Sequence, residues 1–235
     1  MLWLSRKDIE HISRRLLRDY LKKVPQKVDH IDFAEKMCGL QFTFADISEA
    51  HDAIGLTATS GVIITIPQRD GTRLDYELDG KTAFIDQSLV AENQIGRLNF
   101  TMMHEAAHQL FWMLYPEEYE VQTPRCVFRM ADEHTQYPVL NWEEWQTNVL
   151  TSYLLLPKEL VYRHMADVGL KDGVSVLNRI YARKDYERFS EAAKRLGVSK
   201  TALTIRLSQL GLVGRNDLYD PYALVDIFPE KNEIA

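Results

Sequence analysis

Residues 100–112 read Phe-Thr-Met-Met-His-Glu-Ala-Ala-His-Gln-Leu-Phe-Trp, and the reading of the fold starts there. Apolar residues flank His104, Glu105 and His108 on both sides, and neither glycine nor proline interrupts them, so the stretch predicts a buried helix. Residues four apart in a helix share a face. His104 and His108 can therefore direct two imidazole nitrogens at one metal ion, and zinc accepts such ligands. Glu105 lies one step along the same turn. There it need not bind the ion, and it can take a proton from metal-activated water as a general base. Two histidines and a glutamate buried within one turn would be costly without a partner.

Outward from this turn, the helical pattern begins near Glu92 and runs to about Tyr115, where Pro116 stops it. A catalytic zinc needs a third protein ligand and an open position. Phe111 and Leu114 stand where an extended motif would carry glycine and a third histidine, so that ligand comes from elsewhere. Residues 141–156 predict a second, largely apolar helix. At helical spacing Glu144 aligns with the small polar residues Thr147, Asn148 and Thr151, a stripe that lets another helix approach. Glu143 falls on a different face beside Gln146 and Leu150. Glu144 is the better ligand on this pattern; the plainer alternative is that both glutamates serve the helix start, where acidic residues are common.

Upstream, residues 5–24 predict an amphipathic helix capped by Ser5, and residues 30–38 a short one ending at Gly39. Strands are expected over 40–47 and 61–67, with a hairpin formed by 75–78 and 82–86 around Asp79-Gly80. Residues 116–140 hold three prolines and predict a long loop or lid. Within it, His134 and Tyr137 are the residue types that could donate to an oxyanion, though ordinary loop roles suffice for both. Further helices are expected at about 158–167, 173–183, 187–196 and 199–210, followed by an irregular tail from Gly211. Helices, a small antiparallel sheet, then helices argue for an α+β fold.

The stretch 187–212 has a helix-turn-helix pattern around Gly197-Val198-Ser199. Lys194, Arg195, Lys200 and Arg206 give it local positive charge. DNA binding is one reading of it, docking of a partner regulator another, and simple packing of two helices a third. The chain has 235 residues and a net charge of -6, so a basic field over the whole protein is absent. The two cysteines, Cys38 and Cys126, lie far apart and argue against a disulfide framework. No apolar run is long enough to span a membrane, and the basic N-terminal stretch lacks the apolar core of a secretory signal. A cytoplasmic location is the expectation.

Three segments together, Phe100-Thr101-x-x-His104-Glu105-x-x-His108, Glu144-x-x-x-Asn148 and Leu154-Leu155-x-Pro157, resemble the ImmA/IrrE family of metallopeptidases. Arg97 matches the first arginine of that family's pattern. Asn99 stands for its second arginine, Met103 for an alanine and Ala107 for a glycine. Thr147, Leu150 and Thr151 stand for Ala, Phe and Ala. The likeness covers about residues 55–160. It implies a compact zincin-like domain over 1–170 with Zn2+ held by His104, His108 and Glu144, and Glu105 as the catalytic base. It leaves 171–235 as a C-terminal helical segment. The activity implied is zinc endopeptidase action on a specific protein substrate, a transcriptional regulator with a helix-turn-helix domain. The alternative is a non-catalytic module of the same fold that binds a regulator or DNA. The family spacing between His108 and Glu144 is shorter than here, which suggests an insertion at 116–140.

Overall fold

The computed structural model describes residues 3–21, 27–68, 70–119, 125–130 and 142–222. Two helices open the chain, α1 (Arg6–Tyr20) and α2 (His30–Cys38). Ser5 caps α1 through a reciprocal box with Asp8, and Gly39 ends α2 in the left-handed region at φ 65°. Five strands follow: β1 (Gln41–Ala45), β2 (Ala53–Ala58), β3 (Ser60–Pro67), β4 (Arg73–Asp79) and β5 (Thr82–Asp86). Then come α3 (Ile95–Leu114), β6 (Cys126–Met130), α4 (Trp142–Leu155) and α5 (Lys158–Asp167). The chain continues through β7 (Val174–Leu177), α6 (Arg183–Leu196), α7 (Lys200–Gln209) and β8 (Val213–Asn216).

The fold is mixed α+β. Its main sheet has the order β1-β5-β2-β6, with β1 and β5 parallel and the other neighbours antiparallel. The expected small antiparallel sheet is thus corrected to a mixed one, because the chain crosses through β2, β3 and β4 before β5 lies beside β1. The expected hairpin around Asp79-Gly80 is also corrected. The turn is there, with Gly80 at φ 74°, but it passes the chain from one sheet to another. β4 pairs with β3, while β5 pairs with β1 and β2.

Four strands, β2, β6, β7 and β8, have no counterpart in the sequence reading. All six residues of β2 are buried, so no alternation marks it. β6 lies inside the expected loop. The helix expected at 173–183 is replaced by β7, which pairs in parallel with β8 in the supposedly irregular tail. Val174-Ser175-Val176-Leu177 alternates two β-branched valines with Ser175 and Leu177. Glycine lets the two strands close in, since a Cβ on Gly173 would lie 2.4 Å from the Leu212 carbonyl oxygen.

α3 sits at the centre. Every residue from Thr101 to Trp112 is buried, as expected of a helix that is apolar nearly all round. α2, α4 and β2 pack around it, and α1 packs on α4. One apolar core runs through these elements from Leu4 to Leu207, so the α6–α7 pair shares it. At its first turn α3 meets the turn between α6 and α7. A Cβ on Gly96 would lie 2.4 Å from the Ser199 nitrogen, and Asn99 Nδ2 donates to the Gly197 carbonyl at 2.7 Å. No helix among the described residues is long and apolar enough to cross a membrane.

Candidate metal centre

Two elements build the site, α3 and the first turn of α4. His104 and His108 are 0% and 1% exposed, and their rings meet at a 4.8 Å centroid distance. The two Nε2 atoms face each other at 3.1 Å. Glu144 closes the triangle, with Oε2 3.2 Å from His104 Nε2 and Oε1 3.1 Å from His108 Nε2. Its side chain is 24% exposed, so solvent reaches the group from the α4 side.

These donors can be tested against a metal ion. Bonds of about 2.0–2.2 Å at tetrahedral angles put neighbouring ligand atoms about 3.3–3.5 Å apart. The three separations fall just inside that, so a small opening of the triangle admits an ion. Two imidazole nitrogens and one carboxylate form a donor set that zinc favours, but the arrangement does not by itself fix which metal. His104, His108 and Glu144 together can hold a metal ion.

The electrostatics follow from burial with opposed partners. Burial and then the Arg129 guanidinium push His104 down to about 3. For His108, burial opposes the charge, but the contacts with Glu143 and Glu144 outweigh it and push the ring up to about 9. Burial would raise Glu144; the two imidazoles overcome it and hold the carboxyl well below the usual range. Without a metal, then, a carboxylate lies between two rings and the proton rides on His108. A metal ion takes over that balancing charge.

The side chains behind the triangle orient it. Glu143 stands 3.7 Å from His108 Nδ1, and Thr147 Oγ1 is 3.4 Å from the same nitrogen. Trp112 Nε1 donates to Glu143 Oε1 at 3.1 Å, and Arg125 donates to its other oxygen at 2.7 Å. A carboxylate on the far nitrogen of a metal-binding histidine fixes the ring and its tautomer. On the other histidine, Arg129 Nη1 lies 2.9 Å from His104 Nδ1 and 3.2 Å from Asn148 Oδ1. An arginine can only donate, so Nδ1 accepts and the ring's proton sits on Nε2. That contact opposes a metal at Nε2: loading the site must release that proton and draw Arg129 off the ring.

Glu105 is fully buried, and its carboxylate lies against β2. A Cβ on Gly55 would come within 2.3 Å of Glu105 Oε1 and 2.7 Å of Thr101 Cγ2. The glycine in the middle of β2 is what leaves room for this carboxylate.

His104, His108 and Glu144 come together at one place, and Glu105 lies on the same turn of α3 with its carboxylate against β2. Three further residues around the site are not singled out by the sequence. Glu143 was put on a different face from Glu144, and that face reaches the back of His108. Gly55 carries no readable signal, because β2 shows no alternation that would mark it as a strand. Arg129 carried none, since it sat in the expected loop. His134 and Tyr137 lie outside the described residues. Arg206, expected to add positive charge at the surface, is 3% exposed; its Nε donates to the Leu156 carbonyl at 3.0 Å and its guanidinium covers the Tyr153 ring. Comparison with protein-family models finds no match, and neither does comparison with curated proteins.

Proposed function

We propose that this chain is a zinc-dependent endopeptidase with a zincin-like fold, of the ImmA/IrrE kind that its motifs resemble. One observation carries the reading. Three metal-type donor atoms lie 3.1–3.2 Å apart at the only slightly exposed end of a buried site, and the neighbouring turn position is a fully buried glutamate for which β2 makes room. A structural site would need the donors but not that glutamate.

In this reading His104, His108 and Glu144 hold zinc. A zinc ion there supplies Lewis-acid chemistry, acidifying water and polarising a carbonyl. The chain's own residues do the rest. Glu105 would take a proton from the water whose oxygen bonds to the carbonyl carbon, and would deliver it to the amine nitrogen as the C–N bond breaks. Glu143 holds His108 by its Nδ1, and Arg125 and Trp112 hold Glu143.

A helix-turn-helix transcriptional regulator as substrate is proposed from the resemblance alone. The test is a cleavage assay with zinc-loaded protein and the regulator encoded beside it, with Glu105→Gln in parallel. Cleavage by the wild type and none by the metal-competent variant supports the peptidase. Stable binding of the regulator without cleavage by either would favour a non-catalytic binding module.

A further inference from the structure

Between the N-terminal turn of α3, the end of β6 and the α6–α7 pair lies a cleft of about 760 Å³. Its apolar lining comes from Ile54, Ile95, Phe100, Met130 and Ile205. Three of these are unusually bare for large aliphatic side chains: Ile95 is 55% exposed, Met130 43% and Ile205 52%. Grouped apolar exposure of this kind marks a contact surface. The charged residues lining the cleft are Arg97, Arg129, Lys194 and Lys200, and no Asp or Glu is among its described lining residues. In a chain of net charge -6, four cations around one apolar floor are a local reversal of sign.

The cleft adjoins the metal centre through two of its lining side chains. Arg129 reaches from its wall to His104 Nδ1, and the Phe100 ring lies 6.4 Å from the His104 ring. On the far wall Lys200 is pinned, donating to the Tyr186 hydroxyl at 2.8 Å with its ammonium over that ring. Ser199 caps α7 and Gly96 lets α3 meet it, so both walls are fixed to each other.

We propose that this cleft binds an acidic polypeptide segment bearing apolar side chains, and thereby selects the protein presented to the metal centre. The proposal rests on the peptidase reading for its purpose, though not for its binding. Charge complementarity names the occupant: acidic side chains answer the four cations, and aliphatic ones fill the floor. Nucleic acid fits less well. A duplex offers phosphates to the cations but leaves the exposed Ile95, Met130 and Ile205 without an apolar partner, and a single strand's bases need open aromatic faces. Phe100, the aromatic ring in the lining, is covered by the Arg129 guanidinium at 4.8 Å. The α6–α7 pair then serves as a wall of a peptide groove.

The test is fluorescence anisotropy on the full-length, zinc-loaded Glu105→Gln protein, which leaves a probe uncut. Three dye-labelled probes are compared: a short peptide alternating leucine and glutamate, one alternating leucine and lysine, and a short DNA duplex. The acidic peptide should bind, and the other two should not compete with it. Reversing two exposed charges, Lys194→Glu with Lys200→Glu, should weaken that binding by about tenfold or more, and Ile205→Ser by a few fold. An unchanged melting temperature shows that the variants fold. Equal binding of both peptides, tighter binding of the duplex, or indifference to charge reversal would overturn the proposal. So would loss of a self-associated form on charge reversal with no peptide bound. The two readings fail separately. If the wild type cuts its regulator and the charge-reversed form cuts it equally fast, the groove is wrong and the peptidase stands. If the acidic peptide binds but nothing is cut, the reverse holds.

Discussion

Among the described residues, two groups place three metal-type ligand atoms within 4.8 Å of one another: His104, His108 and Glu144, and Asp46, His51 and Asp86. They differ in what their lone pairs already do. Asp86 is fully buried and saturated: its oxygens accept from the backbone of Ile47 and Ser88 and from the His51 ring. It caps a 3-10 turn, and His51, held at a left-handed φ of 52°, sits half in solvent. In the first group the donor atoms face one another between two packed helices. Proximity alone does not make a metal site. What matters is whether the donors converge on one point with no backbone to satisfy them first.

The contrast can be broken most forcefully at His108. His108→Ala should abolish metal binding and, with it, any hydrolysis, read by metal analysis and by the cleavage assay. Next is Glu143→Gln, which leaves all three ligands but weakens the carboxylate behind His108. Metal affinity should fall about 10–100-fold in a competition titration with a chelator. Gly55→Ala should come third. The added methyl meets Glu105 and Thr101, so unfolding should cost about 1–3 kcal/mol less in a denaturant titration, and turnover should fall while metal content holds. The smallest effect is expected in the other group. His51→Ala removes one half-exposed contact to Asp86, costs about 1 kcal/mol at most, and leaves metal content unchanged. A drop in bound metal there would erase the distinction between the two groups.

The same contrast shows what the sequence could reveal. His104, Glu105 and His108 were legible because they share one turn, and Glu144, on another helix, was pointed to by a polar helical stripe and by the family resemblance. Asp46 follows β1, His51 lies in the turn before β2 and Asp86 ends β5, and nothing in their spacing links them. Helices α1 to α5 were legible from apolar period and caps. The sheet was less so. β2 is buried on both faces and shows no alternation, and β6 sits where prolines and mixed charge suggested a loop. Asp79-Gly80 correctly marked a turn, but a turn signal says nothing of which neighbours the flanking strands choose. Residues 173–183 were misread because Val174-Ser175-Val176-Leu177 is too short to show a period, and its partner β8 lies 36 residues later, where glycines at both strands permit the approach.

The most direct measurement is metal content after purification from zinc-supplemented cells, comparing the wild type with Glu144→Ala and His51→Ala. About one zinc per chain is expected in the wild type and in His51→Ala, and little or none in Glu144→Ala. Equal zinc in all three, or none in any, would contradict the assignment of His104, His108 and Glu144 as a metal centre.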